Sequence, residues 1–376
     1  MHSDRHPLHP VKHSGLRGVG LVLSGGGAKG AYQAGVLRAL NDMNVSVGAI
    51  SGASIGALNG AIVAAARTQE TAARHLQELW SELAQISPLC IGRGSLRVPA
   101  YLVMLASFGA PIAGMAGWAG RMMMSPIFQS LLKTAGIHLT NEMVNGEGLL
   151  SNEKIRYLID HYLPDEGLPN RLPLYVSVYP TEDVGRDLLR IIGASWGIGD
   201  TEESEFLHIQ SLPSADQKRA LLASAALPML YSYEEIEGTR YTDGGQGGWR
   251  EVQGNTPITP LLKAGYEHVV VTHLEDGSFW NRHQFPSASV IEIRPAGKGI
   301  SRKGGVRDVL GFDNELIPSW MEQGYEDTMA CVGQIKDTLE VHTELVNATK
   351  AMDTSHNATG QQALADAMRR LNDGAI

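Results

Sequence analysis

The stretch Ile50-Ser51-Gly52-Ala53-Ser54-Ile55-Gly56-Ala57 decides how the rest of the chain is interpreted. It lies between a short apolar run, Val45 to Ile50, and an Ala/Leu-rich segment that predicts a helix to about Arg67. A Gly-x-Ser-x-Gly pentad between a strand and a helix is typical of a nucleophile elbow, in which the serine projects from a tight turn. Glycines flank such a serine because a Cβ there would collide with the neighbouring strand or helix. Ser54 is therefore the candidate nucleophile, and the simpler interpretation is a turn with Ser54 as an N-cap.

A glycine-rich loop comes before this pentad. Val19 to Ser24 predicts a buried parallel strand, and Gly25-Gly26-Gly27-Ala28-Lys29-Gly30 follows it, ahead of a helix from about Ala31 to Met43. Backbone N–H groups at a helix N-terminus stabilise negative charge, so the loop is a candidate oxyanion hole beside Ser54. The same six residues match Gly-x-Gly-x-x-Gly, a dinucleotide-binding pattern. That pattern needs an acidic residue at the end of the second strand, and the nearest one, Asp42, comes before this strand.

A predicted hairpin further along the chain supplies a candidate carboxylate. Tyr231 to Ile236 and Thr239 to Thr242 predict two strands joined at Gly238, and the second strand ends in Asp243-Gly244-Gly245. Alone, Asp-Gly-Gly indicates an ordinary turn.

Taken together, the glycine loop, the serine pentad and the Asp-Gly-Gly turn resemble the patatin-like phospholipase family. The resemblance covers Val19 to Leu274, with the three motifs in the family's order and spacing. Ser224 to Pro228 and Asn255 to Ile258 also look like connecting segments of that family. One departure is Gln246 to Gly254, which separates Asp-Gly-Gly from the Asn-x-Pro that usually follows closely. This insert leaves the shape of the pocket rim open.

The resemblance implies a serine lipid acyl hydrolase, of the phospholipase A or lysophospholipase type, with a Ser–Asp dyad and an acyl-enzyme intermediate. Ser54 would be the nucleophile and Asp243 the base. Because the reference pKa of aspartate is only about 3.9, we expect Asp243 to lie in a partly desolvated pocket that raises its pKa. The N–H groups of Gly25, Gly26 and Gly27 would hold the oxyanion. The expected supporting residues are Lys29, Gly30, Gly52, Gly56, Gly244 and Gly245, with Lys29 as support for the loop or as a solvated helix lysine.

Other functions stay open at this point. Ser54, Asp243 and His273 occur in the chain order of a catalytic triad on an α/β-hydrolase fold, and His273 follows a predicted buried strand. That fold, however, places several strands before the one that leads into its serine elbow, whereas here only one strand comes before that one. A non-catalytic nucleotide- or lipid-binding module is the third alternative, and it would have no need of nucleophile, carboxylate and glycine loop together.

Composition narrows the classes of partner. The chain has 376 residues, of which 43% are hydrophobic, and a formal net charge of −9, which argues against nucleic acid. Cys90 and Cys331 are its only cysteines, so we expect no disulfide framework and a cytoplasmic location. Met1 to His13 lacks the apolar core of a signal peptide, and its histidines have no metal-ligand spacing. We predict no metal or cofactor, a lipid or phospholipid substrate, and a surface compatible with peripheral membrane contact.

Strands that alternate with helices predict a three-layer α/β/α fold around a mainly parallel sheet, as the resemblance also implies. We expect a flexible leader over residues 1–17, a catalytic domain over 18–295, and a C-terminal helical extension over 296–376 that packs on this domain. Residues 98–124 are predicted to be an apolar cover segment, because residues 98–120 carry no charge. Prolines and glycines weaken a helix there, so an active-site cover or a shallow membrane contact is favoured over a membrane span. Packing in the core is the other interpretation.

Three further elements bear on the fold. A helix over 70–85 carries Leu76, Leu79 and Leu83 on one face and predicts a core contact. Leu188 to Ile192 predicts a short strand, and Thr256 to Ala264 a helix with Pro257 in its first turn.

Overall fold

A computed structural model gives the structure of the protein, and it describes these parts of the chain: residues 18–86, 153–182, 187, 190, 200–226, 233–248, 252–274, 280–296, 300, 314–333 and 368–369. The chain forms two compact units, Met1–Thr328 and Met329–Ile376. The predicted leader over 1–17 and the predicted apolar cover segment over 98–124 lie outside the described residues. The predicted division into residues 18–295 and 296–376 stays a prediction.

An eight-stranded mixed sheet forms the centre of the first unit. Its strands are β1 (Val19–Leu23), β2 (Val47–Ala53), β3 (Leu174–Pro180), β4 (Glu205–His208), β5 (Glu234–Ile236), β6 (Thr239–Asp243), β7 (His268–Thr272) and β8 (Ser289–Ile293). The order across the sheet is β5-β6-β3-β2-β1-β7-β8, and β4 also pairs with β3. β1, which leads into the glycine loop, and β2, which leads into the elbow, are therefore neighbours.

The strands around β1 are parallel, and this direction places the site. β1 pairs in parallel with β2 and β7, β2 with β3, and β7 with β8, whereas β4, β5 and β6 are antiparallel. The carboxyl ends of parallel strands meet at one edge of a sheet, which is where ligands bind in open α/β folds. The glycine loop follows β1 and the elbow serine follows β2, so both lie at this edge.

Helices flank the sheet and confirm the predicted α/β class. They are α1 (Ala31–Asp42), α2 (Ile55–Ala65), α3 (Gln69–Ile86), α4 (Glu153–Tyr162), α5 (Ser214–Ser224) and α6 (Thr259–Lys263). Leu76, Leu79 and Leu83 of α3 are buried, which confirms the predicted core contact. Two of these helices, α1 and α2, start directly after the glycine loop and the elbow, so their packing holds both turns in place.

A further helix, over residues 316–328 of the first unit, packs on α1 at very short range. A Cβ on Gly35 of α1 would lie 1.8 Å from the carbonyl oxygen of Met321, and one on Gly324 would lie 2.0 Å from that of Tyr32. The two backbones therefore touch where neither has a side chain. Tyr32 Oη also donates a hydrogen bond to Asp327 Oδ2 at 2.9 Å. In the second unit, residues 329–333 and 368–369 are helical.

Two predictions about elements are corrected by the structure, and one strand was missed. Arg190, placed in a predicted strand over Leu188 to Ile192, is helical and pairs with Asp187 at 3.7 Å, an i,i+3 spacing. Periodicity does not separate a strand from a helix in so short an apolar run. The helix predicted from Thr256 begins only at Thr259, with Pro260 in its first turn, where the N–H that proline lacks has no intrahelical partner in any case. β4 was not predicted.

Candidate active site

Ser54 has the strained backbone of a nucleophile elbow. Its φ is 52° and its ψ is −124°, between the end of β2 and the start of α2. Non-glycine residues rarely adopt such a conformation, which costs about 1–3 kcal/mol and persists where the surroundings enforce it. The surroundings here are tight, because a Cβ on Gly56 would lie 2.0 Å from the carbonyl oxygen of Leu23. One on Gly52 would lie 2.5 Å from the carbonyl oxygen of Gly56.

A second serine, Ser224, holds the elbow in place through a hydrogen bond. The backbone N–H of Ser54 donates to Oγ of Ser224 at 2.9 Å, and Ser224 is fully buried at the end of α5. This bond satisfies one of the N–H groups that a helix start leaves unpaired. Sequence reasoning placed Ser224 in a connecting segment and gave it no role. The sequence feature that could have indicated Ser224 was this connecting segment, which lies far from the pentad in the sequence.

The glycine loop ends in a 3-10 turn over Gly27–Gly30, and its first amide already has a partner. Gly25 donates its N–H to the carbonyl oxygen of Asn255 at 3.3 Å. Gly26 makes no such bond within the described part of the chain, and Gly27 has a φ of 59°. The three predicted oxyanion donors are thus not equivalent, because one of them faces a protein carbonyl in this structure.

Lys29 is buried and ties the loop to the end of β7. Its side chain is 3% exposed, and Nζ donates to the carbonyl oxygen of Leu274 at 3.2 Å. Gly26 approaches the same leucine, since a Cβ on it would lie 2.8 Å from Leu274 Cβ. Lys29 is therefore not a solvated helix lysine, and its role as a support for the loop stays a prediction.

A chain of buried polar side chains lies behind the loop. Gln33 Nε2 donates to the carbonyl oxygen of Ser24 at 2.7 Å, and Asn59 Nδ2 donates to Gln33 Oε1 at 2.8 Å. Asn59 Nδ2 also donates to the carbonyl oxygen of Gly30, and Trp80 Nε1 donates to Asn59 Oδ1. Because these groups are buried and satisfied, they fix the two ends of the glycine loop relative to α2 and α3.

Asp243 lies at the end of β6 and is 1% exposed. Its Oδ1 accepts the N–H of Gly245 at 2.8 Å. Oδ2 is enclosed and makes no hydrogen bond of ordinary geometry with the residues that the structure describes. Burial raises the pKa of Asp243 to about 7, although the Gly245 N–H and the Ser54 hydroxyl both act to lower it. A carboxyl with this pKa can accept a proton near neutral pH.

His273, directly after β7, has a hydrogen-bond partner in Glu292 of the neighbouring strand β8. Nε2 of His273 lies 3.1 Å from Glu292 Oε2, and the ring packs against Trp280. Burial lowers the pKa of His273. Burial alone would raise the pKa of Glu292, but hydrogen bonds from His273 and Arg294 outweigh it and lower this pKa to about 2. These contacts give His273 a structural place between β7 and β8.

The insert between Asp-Gly-Gly and Asn255 is closed at its base. Gly254 donates its N–H to the carbonyl oxygen of Gly247 at 3.2 Å. Ser204 Oγ donates to the carbonyl oxygen of Gly244 at 2.6 Å. The chain therefore leaves the aspartate turn and returns to it, so that Asn255 lies beside Gly245 in spite of the insert.

The described ranges contain no group of three or more His, Cys, Asp or Glu side chains arranged to hold a metal ion. Within the same ranges, none of the helices has both the length and the apolar character needed to cross a bilayer.

Comparison with known proteins identifies the class and then the family. The family model of the patatin-like phospholipases matches residues 21–262, and together with the α/β fold it defines the chain as a lipid ester hydrolase. The chain belongs to the patatin-like phospholipase family, as its sequence predicted. A search among curated proteins returned no significant match.

Two solved structures illustrate how far the likeness extends. VipD from Legionella pneumophila is 15% identical with a TM-score of 0.38, over 85% of this chain and 67% of that chain. ExoU in complex with SpcU, from Pseudomonas aeruginosa, is 12% identical with a TM-score of 0.37, over 84% of this chain and 52% of that chain. The chain thus spans about half the length of ExoU.

Proposed function

We propose that the protein is a serine lipid acyl hydrolase of the phospholipase A or lysophospholipase type, with Ser54 as nucleophile and Asp243 as base. The observation that carries this proposal is the enclosed Asp243 carboxyl, whose pKa is raised to about 7 by burial and lowered in part by the Ser54 hydroxyl. A serine hydroxyl needs a base of this kind to become a nucleophile.

The reaction follows in two halves. Ser54 Oγ attacks the ester carbonyl carbon while its proton passes to Asp243, and N–H groups of the glycine loop stabilise the oxyanion. The intermediate collapses, the bond to the leaving alcohol breaks, and Asp243 returns the proton to that alcohol. Water then attacks the acyl-enzyme while Asp243 accepts its proton. The fatty acid leaves as the Ser54–acyl bond breaks and Ser54 Oγ regains its proton from Asp243.

Labelling with a fluorophosphonate probe tests the nucleophile directly. We expect the label on Ser54 in the wild-type protein and none in Ser54→Ala. Ser81→Ala is the matched control, because Ser81 is exposed on α3 and its hydroxyl donates within that helix, to the carbonyl oxygen of Gln77. If the label appears on another residue, or if Ser54→Ala is labelled as fast as the control, the proposed nucleophile is wrong.

Hydrolysis of a short acyl ester tests the base. Asp243→Asn should lower the rate at least about a hundredfold, because the amide cannot take the serine proton. Asp160→Asn is the control, since Asp160 is an exposed carboxylate on α4. A rate above a tenth of wild type in Asp243→Asn would contradict the dyad.

The triad with His273 is tested by the same assay. His273→Ala should retain most of the activity, because the imidazole nitrogen Nε2 is hydrogen-bonded with Glu292. Activity as low as that of Ser54→Ala would favour the triad. A phospholipid with different acyl chains at its two ester positions would then separate the phospholipase A types, by the fatty acid that is released.

A further inference from the structure

Asn255 lies where the three parts of the proposed catalytic machinery meet. A Cβ on Gly25 would lie 2.4 Å from Asn255 Oδ1 and 3.1 Å from Ser54 Cβ. A Cβ on Gly245 would lie 3.0 Å from the same Asn255 oxygen and 3.0 Å from Asp243 Oδ1. The side-chain amide of Asn255 therefore sits between the glycine loop, the elbow serine and the aspartate turn.

The backbone of Asn255 changes which donors the loop offers. Its carbonyl oxygen accepts the N–H of Gly25 at 3.3 Å, so this amide points at the protein and not at a substrate. A tetrahedral oxyanion is stabilised by preorganised donors, and each one contributes strongly to the rate. Because the N–H of Gly25 is bound to this carbonyl, the glycine loop offers an oxyanion the N–H groups of Gly26 and Gly27, and not the three donors that the sequence predicts.

The side chain of Asn255 can replace that donor. Its Oδ1 is enclosed without a hydrogen bond among the described residues, whereas Nδ2 is not enclosed in this way, and the residue as a whole is half-buried. An enclosed oxygen without a partner costs about 1–3 kcal/mol. Such exceptions need an explanation, and a functional constraint is one. A side-chain amide is a known type of oxyanion donor.

We propose that Asn255 is a catalytic residue whose side-chain N–H donates to the oxyanion in place of Gly25. The proposal rests on the proposed function of Ser54 and Asp243, since it assigns a donor to the intermediate that they form. The closed base of the insert explains how a residue so far along the chain reaches this position: Gly254 folds back on Gly247 and delivers Asn255 to the side of Gly245.

Two variants and one control test the donor role. Asn255→Ala removes the amide, and Asn255→Asp keeps its shape but is a carboxylate that cannot donate at pH 8.5. Gln253→Ala is the control, because Gln253 carries an amide on the same loop and its Oε1 accepts a hydrogen bond from Thr259 at 3.3 Å. The measurements are kcat and KM on p-nitrophenyl butyrate, the rate of fluorophosphonate labelling, and the melting temperature.

Both Asn255 variants should lose about a hundredfold in kcat, the typical effect of removing one oxyanion donor. KM should change less than about threefold, because the interaction forms only in the transition state. Labelling should slow by a similar factor, since the phosphonyl oxygen occupies the same hole. Gln253→Ala should stay near the wild-type values. Normalising kcat to the amount of Ser54 labelled at completion corrects for any unfolded fraction.

The outcomes separate the two proposals. An Asn255→Asp variant that keeps more than a third of the wild-type kcat overturns the donor role, as does a loss confined to KM. If neither variant folds, Asn255 is a residue of the fold and the proposal is rejected. A wild-type protein in which Ser54 is never labelled would reject the proposed function itself, whereas a labelled wild type with unchanged Asn255 variants rejects only the donor.

Discussion

Ser54 donates its backbone N–H to the hydroxyl oxygen of Ser224, across the gap between the elbow and the end of α5. This bond holds a residue whose φ is 52° at the start of a helix. We expect Ser224→Ala to lower kcat about tenfold, because Ser54 loses the bond that fixes its backbone, and a small misplacement of a reacting group is costly in rate. Fluorophosphonate labelling of Ser54 should slow in proportion. Equal rates in Ser224→Ala and in the exposed-site variant Ser211→Ala would show that the bond is dispensable.

The pH dependence of activity should report Asp243. Burial raises its pKa to about 7, and the base must be ionised to take the serine proton. We therefore expect kcat/KM on a soluble ester to rise with pH, with a midpoint near 7, and to level off above it. A rate that is flat from pH 5 to pH 9 would be incompatible with Asp243 as the base.

The same carboxyl should make the fold less stable at alkaline pH. Because folding raises its pKa from 3.8 to about 7, the folded state holds the proton more tightly than the unfolded chain does. The stabilisation is fully present below about pH 4 and is lost as the pH rises through 7. At about 1.4 kcal/mol per pKa unit, the loss amounts to a few kcal/mol.

Asp243→Asn removes this loss of stability at high pH, because the amide is neutral at every pH. Urea unfolding at pH 5 and pH 8 should show the variant gaining stability over wild type at the higher pH. Using the difference between the two proteins cancels other titrating groups, His273 among them. A variant that is less stable than wild type at pH 8 would mean that Asp243 is better solvated than its burial indicates.

The insert should influence which substrates enter, and not the chemistry. Its base is fixed by the bond between Gly254 and Gly247, and Ser204 holds the aspartate turn independently. Replacing residues 249–251, at the centre of the insert, with two glycines should keep labelling of Ser54 and the short-ester rate. The preference among acyl lengths or head groups should change. Loss of labelling would show that the insert holds the site together.

The uncharged stretch over residues 98–120 provides the prediction about membranes. It is outside the described residues, and its sequence is the basis for expecting an apolar cover. Phe108→Ser together with Trp118→Ser should weaken binding to phospholipid vesicles and lower activity on them, with soluble-ester turnover nearly unchanged. Equal loss on both substrates, with a lower melting temperature, would place the stretch in the core.

The sequence predicted the turns of this site better than the contacts between them. Glycines at 52 and 56 and the apolar run before Ser54 were enough to predict the elbow, because the sterics of a tight turn act over a few residues. Ser224 and Asn255 have no such local signal. Each reaches the elbow or the loop only after the sheet has assembled, so their roles depend on contacts more than 150 residues apart in the sequence.

The predictions of short elements were wrong for a related reason. Arg190 lies in a run of five residues whose apolar pattern fits a short helix as well as a short strand. The Asp187–Arg190 ion pair, which has the i,i+3 spacing of a helix, is recognised only in the folded structure. The start of α6 was misplaced because the sequence offers two prolines, 257 and 260, and only the second occupies the first turn. Long periodic elements such as α1 and α3 were predicted to within a few residues.

The position of β7 beside β1 sets a lower limit on the length of a fragment that can fold. The family match ends at residue 262, before β7 begins. β7 nevertheless pairs with β1 inside the sheet, and Leu274, just after β7, accepts the hydrogen bond from Lys29. A protein cut at the family boundary would expose the hydrogen-bonding edge of β1, a bare strand edge of the kind that drives aggregation. Recombinant work on the catalytic part of this chain should therefore retain at least β7 and β8, through Ile293.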